Sequence, residues 1–402
     1  MSLSAALKTF IREHANDDLT YLLLHADKHK GIDMLFAVEQ ITARRQIRDK
    51  LPEWYANDNL LFPARIAAEQ ASSESTAIYK QRLLDENDKR LCDLTGGLGV
   101  DTYYLSRKAK KVIYMERNPE YCKIAKQNFS TLKAGNISVV KGDSTAMALR
   151  LKPKKVDIFY LDPARRGVGN KRLFALEDCE PNLVELLPKL LAIAPKVIAK
   201  ISPMADIRQI LTLLPQTTEL HILAVKNDCK ELLLVCRQQE TPVLSPQIHC
   251  VNLADNEEKE QHFTFSLSEE NEAVSRFAES VQTFLYEPNA AVMKSGAFRL
   301  IGTRYNVGKL SASSHLYTSA DFIANFPGRI FRVEEVMPFN NRLCKTIAHT
   351  IPQANITVRH FPLTVDQLRK KTSITDGGNT YLFATTLANK ERVIIRCRKK
   401  GN

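Results

Sequence analysis

No two cysteines of this 402-residue chain form a CxxC pair; the eight (Cys92, Cys122, Cys179, Cys229, Cys236, Cys250, Cys344 and Cys397) are scattered. That spacing argues against a zinc or iron–sulfur site. Five of them sit in or beside apolar or helical stretches and read as small buried hydrophobes of a reducing cytoplasm. No apolar run reaches the length of a membrane span. The start, Met1-Ser-Leu-Ser-Ala-Ala-Leu-Lys, has neither a basic leader nor a long apolar stretch, so a signal peptide is not expected. Internal repeats and low-complexity stretches are missing, and there is one tryptophan, Trp54.

What remains is a globular composition, 44% hydrophobic and 25% charged, in a chain long enough for several domains. Its net charge of +12 is uneven. Residues 325–402 hold 14 Lys/Arg against 5 Asp/Glu, whereas residues 255–279 hold 8 Asp/Glu against 2 Lys/Arg. A basic terminal module points to a polyanionic partner, most simply nucleic acid.

Glycine is sparse, 15 in all, yet three cluster in Leu91-Cys-Asp-Leu-Thr-Gly-Gly-Leu-Gly-Val-Asp-Thr102. An apolar stub ends at Asp93, then Gly96, Gly97 and Gly99 lead into a helical pattern. A second strand-like run, Val112 to Glu116, follows. This is the layout of a nucleotide-type site at the first strand-to-helix turn of a doubly wound sheet, with Glu116 placed to hold a ribose. Taken alone the loop suits NAD equally well.

Residues 1 to about 60 read as helical, with a basic outer face on the stretch from Asp33 to Arg48 and a stop or bend at Pro52. Trp54 reads as core. Two helical stretches around Ser72, Ser73 and Ser75 form either a helix–turn–helix entry or a polar lid, with Ser73 or Ser75 as a cap. From residue 90 strands and helices alternate: Arg90 to Asp93, Val112 to Glu116, Ile137 to Val140, Val156 to Leu161 and Lys196 to Ile201. The last two strands, His221 to Val225 and Glu231 to Arg237, are joined only by Lys226-Asn-Asp-Cys-Lys230, too short for a crossover helix, so they form an antiparallel hairpin. Beyond residue 240, strands at Ile248 to Leu253 and His262 to Leu267 precede a helix expected over Asn271 to Leu285. The stretch from Gly308 to Tyr317 reads as a loop or strand edge, with His315 structural. The chain closes with a strand at Ile356 to Phe361, a helix at Thr364 to Lys371 and a hairpin, Tyr381 to Thr386 with Glu391 to Arg398.

Five parallel strands closed by an antiparallel hairpin resemble the class I S-adenosylmethionine methyltransferases. Asp93 and Gly96 to Gly99 resemble their first motif, Glu116 the ribose-binding acid and Asp143 the residue that meets adenine. Asp162-Pro163 resembles the fourth motif, which faces the methyl-accepting base. Thr95 departs from the family's pattern, which often has glycine there. The whole chain, through Glu69-Gln-Ala-Ser-Ser-Glu74, Asp93 to Asp101 and Leu161-Asp-Pro-Ala-Arg-Arg166, resembles the bacterial methyltransferases that carry ferredoxin-like and C-terminal THUMP-like domains.

The resemblance implies an α/β fold: an N-terminal helical domain (1–85), a class I methyltransferase domain with a Rossmann-like sheet (86–240), a ferredoxin-like domain (241–325) and a THUMP-like RNA-binding domain (326–402). It implies S-adenosyl-L-methionine as cofactor, held by Asp93, Thr95, Gly96, Gly97, Gly99, Glu116, Arg117, Asp143, Ser144 and Asp162, and no metal. Asp162, Pro163 and Arg165 would form the catalytic turn. Arg166, Arg392, Arg396, Arg398 and Lys399 would contact RNA in a cytoplasmic enzyme. Asp-Pro-Ala-Arg also resembles the 5-methyluridine enzymes, which use a cysteine after strand five. Here Ser202 stands in that stretch, and serine is a poor substitute for a thiolate. A base nitrogen is therefore the expected acceptor. The competing readings are an RNA-binding protein that retains the fold without turnover, an NAD-dependent oxidoreductase and a protein methyltransferase.

Overall fold

The computed structural model describes residues 3–63, 65–165, 179–239, 245–254 and 260–399. The chain packs as two compact units, residues 1–220 with 231–244, and residues 221–230 with 245–402.

The first unit opens with six short helices: α1 (Ala5–Glu13), α2 (Leu19–Leu24), α3 (Met34–Ile47), α4 (Pro52–Tyr55), α5 (Arg65–Gln70) and α6 (Glu74–Lys80). Side-chain caps start four of them: Ser4, Asp18, Asp33 and Ser73 each accept a backbone N–H of the first turn. Two expectations need correction. Pro52 does not end the long helix; α3 stops at Ile47, and Pro52 occupies the first turn of α4, where its missing N–H costs nothing. The basic face of α3 is not wholly outward either. Arg44 is buried and donates to the carbonyls of Tyr55, Asn57 and Leu60, while Arg45 and Arg48 stay exposed. Trp54 is fully buried, edge-on to Tyr103.

The sheet follows as β1 (Arg90–Asp93), α7 (Val100–Ser106), β2 (Lys111–Glu116), α8 (Pro119–Thr131), β3 (Ile137–Lys141), α9 (Ser144–Ala148) and β4 (Ile158–Leu161). A two-residue ladder pairs β5 (Ala164–Arg165) with β6 (Cys179–Glu180), antiparallel. Then come α10 (Leu183–Leu191), β7 (Lys196–Ile201), α11 (Ile207–Leu213), β8 (Thr217–Val225) and β9 (Asp228–Arg237). Within their sheet these strands lie in the order β8-β9-β7-β4-β1-β2-β3. β7, β4, β1, β2 and β3 run parallel, and β9 joins β7 antiparallel. The turn between β8 and β9 has Lys226 and Asn227 both at positive φ, 51° and 64°, as a two-residue hairpin turn requires. β4 is buried along its whole length, as befits a central parallel strand covered on both faces.

The second unit gathers the hairpin tip, His221–Lys230, with β10 (Gln247–Leu253) and β11 (Gln261–Ser266), which pair antiparallel. Next are α12 (Leu267–Glu272), β12 (Phe284–Pro288), α13 (Ala290–Ser295), α14 (Leu300–Arg304), β13 (Gly308–Lys309), β14 (Tyr317–Ser319) and β15 (Gly328–Pro338). The chain closes with α15 (Asn341–Thr350), β16 (Asn355–Arg359), α16 (Val365–Thr372), β17 (Thr380–Thr386) and β18 (Arg392–Lys399). One sheet of order β13-β14-β12-β15-β18-β17-β16 takes strands from both segments read as ferredoxin-like and THUMP-like. The eleven-residue β15 is the seam, pairing with β12 at its start and with β18 along its length.

The helix expected over Asn271 to Leu285 is overturned. A capping box between Ser266 and Glu269 starts α12 earlier, and it ends at Glu272, with Ala273 extended. The backbone of Arg276 and Ala278 then bonds to Lys309, an extended pairing that a helix would forbid. Among the described residues, no helix is long and apolar enough to cross a membrane.

Candidate functional site

The glycine loop lies at the C-terminal end of β1, where parallel sheets bind ligands. Asp93 is 1% exposed and spends its carboxyl on the loop itself: Thr95 N–H donates to Oδ1 at 2.9 Å, and the Thr102 hydroxyl donates to Oδ2. Burial pushes this carboxyl up to about 7, with nearby Asp101 and Asp162 adding to the rise while the Thr102 and Thr95 bonds oppose it. Asp93 thus organises the loop from beneath.

Tyr114 of β2 fills the space under the loop. A Cβ on Gly96 would sit 2.3 Å from its ring, and its hydroxyl donates to the Gly97 carbonyl at 2.6 Å. Gly99, at φ 86°, precedes α7, and a Cβ there would lie 2.7 Å from Phe129. Both positions therefore require glycine. Glu116, half-buried at the end of β2, accepts Gly97 N–H at 3.0 Å through Oε2 and Asn118 N–H at 2.8 Å through Oε1. The acid and the loop are fastened to each other. Arg117 is exposed and paired with Glu180 at 2.9 Å. Asp143, exposed after β3, caps α9 through Oδ1, and Ser144 begins that helix.

Thr95 joins the loop to the fourth motif. Its Oγ1 accepts the Asp162 amide N–H at 2.6 Å and donates to Asp93 Oδ1 at 3.5 Å. The Asp162 carboxylate pairs through Oδ2 with Lys200 Nζ at 2.5 Å and is 36% exposed. Pro163 is half-buried beside it, and the backbone of Arg165 pairs with Cys179. Arg166 lies outside the described residues. Ser202 follows β7, and its Oγ accepts Met204 N–H.

Beneath Asp162 is a polar cluster that the sequence reading did not assemble. Lys80, fully buried, donates to Ser72 Oγ and to Asp101 Oδ1, each at 2.9 Å, and pairs with Glu231 at 2.9 Å. The hydroxyls of Ser72 and Tyr160 both donate to Asp101 Oδ2, at 2.8 and 2.6 Å. Burial alone would raise the Asp101 carboxyl, but Lys80, Lys200 and Tyr160 outweigh it and hold the group low. Burial drives Glu231 upward, against the pull of Lys80 and Lys200. The available signal was Lys200, a second lysine set inside the apolar run of the strand Lys196-Val-Ile-Ala-Lys-Ile201. Ser72 therefore belongs to this cluster, and Ser73 caps α6.

In the second unit Arg392, Arg396 and Arg398 share one face of β18 with Ile394, which packs among Met337, Ile347 and Leu368. Helices cover the middle of that face. Arg396 and Arg398 both pair with Glu334, at 3.1 and 2.6 Å, while Arg392 and Lys399 are exposed.

Comparison with known proteins bears on the same regions. Residues 284–327 match a ferredoxin-like domain family, residues 328–399 a THUMP domain-like family, and residues 78–177 the family described as conserved hypothetical protein 95. The crystal structure of a "putative methyltransferase" from Porphyromonas gingivalis W83 is 34% identical, covers 98% of each chain and superposes with a TM-score of 0.88. An uncharacterized RNA methyltransferase of Clostridium acetobutylicum is 33% identical over 101 residues, 25% of this chain. An uncharacterized protein of Methanocaldococcus jannaschii is 30% identical over 122 residues, 30% of this chain. The matched stretches span 22% and 42% of those two curated relatives.

Proposed function

We propose, for a chain that belongs to the same methyltransferase family as the Porphyromonas gingivalis protein, that it moves a methyl group from S-adenosylmethionine to a base nitrogen of RNA. The observation that carries the reading is the Thr95–Asp162 hydrogen bond, which fixes the turn of the fourth motif against the glycine loop.

The residues present fit the donor. Each Glu116 oxygen holds one backbone N–H and keeps a lone pair, which suits the two hydroxyls of a ribose. Gly97 offers bare backbone at φ 52° beside it. Asp143 and Ser144, after β3, would meet the adenine, and Arg117 would flank the ribose acid. When bound, the cofactor supplies an electrophilic methyl on a sulfonium.

The chain's own task is alignment, which alone can account for a large part of the acceleration. Asp162 accepts an N–H of the base amine, aiming the nitrogen lone pair and sharing the positive charge that develops there. Pro163 stiffens the turn through its fixed φ. Arg165 and Arg166 would grip phosphate or stack on a base. Ser202 supplies no thiolate for attack on a pyrimidine ring, which favours nitrogen over carbon as acceptor. A relative named as an RNA methyltransferase, the THUMP-like match and the basic terminal segment support RNA as the substrate. In this reading residues 86–240 do the chemistry and residues 326–402 hold the RNA.

The test is a mass-spectrometric comparison of modified nucleosides in rRNA and tRNA from cells with and without the gene. One methylated base nitrogen should disappear with the gene. Unchanged nucleosides, together with no calorimetric binding of S-adenosylhomocysteine, would favour a non-catalytic RNA-binding protein.

A further inference from the structure

Lys200 sits at the C-terminal end of β7, and its side chain is only 13% exposed. An ammonium in such a place is costly unless it is paired. Burial pulls its pKa down, but Asp162, Glu231 and Asp101 together overcome burial and raise it above the ordinary lysine value. Lys200 therefore stays charged and cannot act as a base. Its one ion-pair contact within 4 Å among the described residues is Asp162 Oδ2, at 2.5 Å.

The neighbours explain why Lys200 turns toward Asp162. Two buried carboxylates, Asp101 and Glu231, compete for it, and Lys80 pairs with both at 2.9 Å. Ser72 stands between the two lysines, 2.9 Å from Lys80 Nζ and 3.4 Å from Lys200 Nζ, and gives its own proton to Asp101. With Asp101 bonded by Lys80, Ser72 and Tyr160, and with Lys80 the ion-pair partner of Glu231, Lys200 is left for Asp162. The Asp162 backbone is tied separately by Thr95. Two tethers, one on the amide and one on Oδ2, leave Oδ1 as the carboxylate oxygen without a partner among the described residues.

We propose that Lys200 is the positioning residue that orients the Asp162 carboxylate for the methyl acceptor, and that Ser72 and Lys80 of the N-terminal helical segment hold Lys200 to that task. This rests on the role of Asp162 given above. It assigns a purpose to Ser72 and to Asp101, which the glycine-loop chemistry leaves unused.

The test compares Lys200→Met, Lys200→Arg and Asp162→Ala in the full chain. The readout is transfer of tritiated methyl from S-adenosylmethionine to total RNA from cells lacking the gene. Lys200→Met should lower kcat by roughly a hundredfold, the size of effect seen when one preorganised group is lost. The KM for S-adenosylmethionine should stay within a few-fold. Lys200→Arg, which keeps the charge, should recover at least a tenth of the lost rate. Far-ultraviolet circular dichroism and melting of each variant separate misfolding from misplacement. Should Lys200→Met misfold, Lys200→Arg and Ser72→Ala carry the comparison, the latter with a smaller kcat loss and unchanged KM. A folded Lys200→Met with full kcat, beside an inactive Asp162→Ala, would overturn the proposal. So would a loss confined to KM, or one that arginine fails to relieve. A fully active Asp162→Ala would instead remove the assignment of Asp162 itself.

Discussion

The Asp162 amide donates to the Thr95 hydroxyl at 2.6 Å, a bond spanning 67 residues of sequence. A glycine at position 95 has no hydroxyl and could not make it. Thr95→Val keeps the shape and removes the acceptor, leaving a half-buried N–H unsatisfied at a cost of about 1–3 kcal/mol. Thr95→Val should therefore lose methyl transfer far more than it loses thermal stability, and Thr95→Ser should retain most of it. Paired melting curves and initial rates check this. Equal rates in both variants would show that the bond is dispensable.

Asp162→Ala should reduce transfer to RNA by roughly 10²–10³-fold, in line with removal of one preorganised polar group. Affinity for S-adenosylhomocysteine, measured by calorimetry, should stay within a few-fold. The Glu116 contacts lie on the far strand β2 and are untouched by the change.

Gly96→Ala places a methyl 2.3 Å from Tyr114, whose ring is held by its own bond to the Gly97 carbonyl. Overpacking of this kind costs about 1–3 kcal/mol. The variant should melt several degrees lower and bind S-adenosylhomocysteine weakly. Combining it with Tyr114→Ala, which empties the space, should restore part of the binding lost to the clash.

The buried Asp93 carboxyl, raised to about 7, gives a pH test. Its folded pKa lies above its unfolded value of about 3.9. The folded state therefore holds the proton more tightly, and that stabilisation is complete at low pH and is lost as pH rises through 7. Asn at 93 can still accept Thr95 N–H and can donate to Thr102, without titrating. The melting temperature of the natural protein should fall relative to Asp93→Asn between pH 5 and pH 8. Parallel curves over that range would refute the raised carboxyl.

Glu334 binds both Arg396 and Arg398. Glu334→Gln removes the competing charge, so RNA affinity should rise and its salt dependence steepen. Neutralising Arg396, Arg398 and Lys399 should do the reverse. Filter binding of total RNA across a salt series reads both, and a slope indifferent to all four changes would place RNA elsewhere.

Much of this architecture can be read from strand-end chemistry. Asp93 and Glu116 end a strand, and Asp143 and Asp162 follow one, because polar residues gather at the strand ends where parallel sheets bind ligands, and the five-residue link after Val225 forced a hairpin. The cluster around Lys200 was beyond reach for a physical reason. Ser72 meets Lys200 across 128 residues, and Lys80 meets Glu231 across 151, so no local spacing announces them. The stretch from Asn271 to Leu285 misled in the opposite sense. Its local pattern suits a helix, but the distant backbone of Lys309 claims it in extended form.

The β8–β9 turn has a consequence for synthesis. Residues 221–230 pack with chain that lies after residue 244, and Asn227 accepts the N–H of Ala290. A chain emerging from the ribosome N-terminus first exposes Ile222, Leu223 and Ala224, all fully buried at the end, before their partners exist. The parallel strands can assemble early, yet the β8–β9 hairpin must wait with apolar residues of β8 uncovered. A truncation near residue 240 would make that transient state permanent, and the resulting fragment should be prone to aggregation even though the glycine loop is intact.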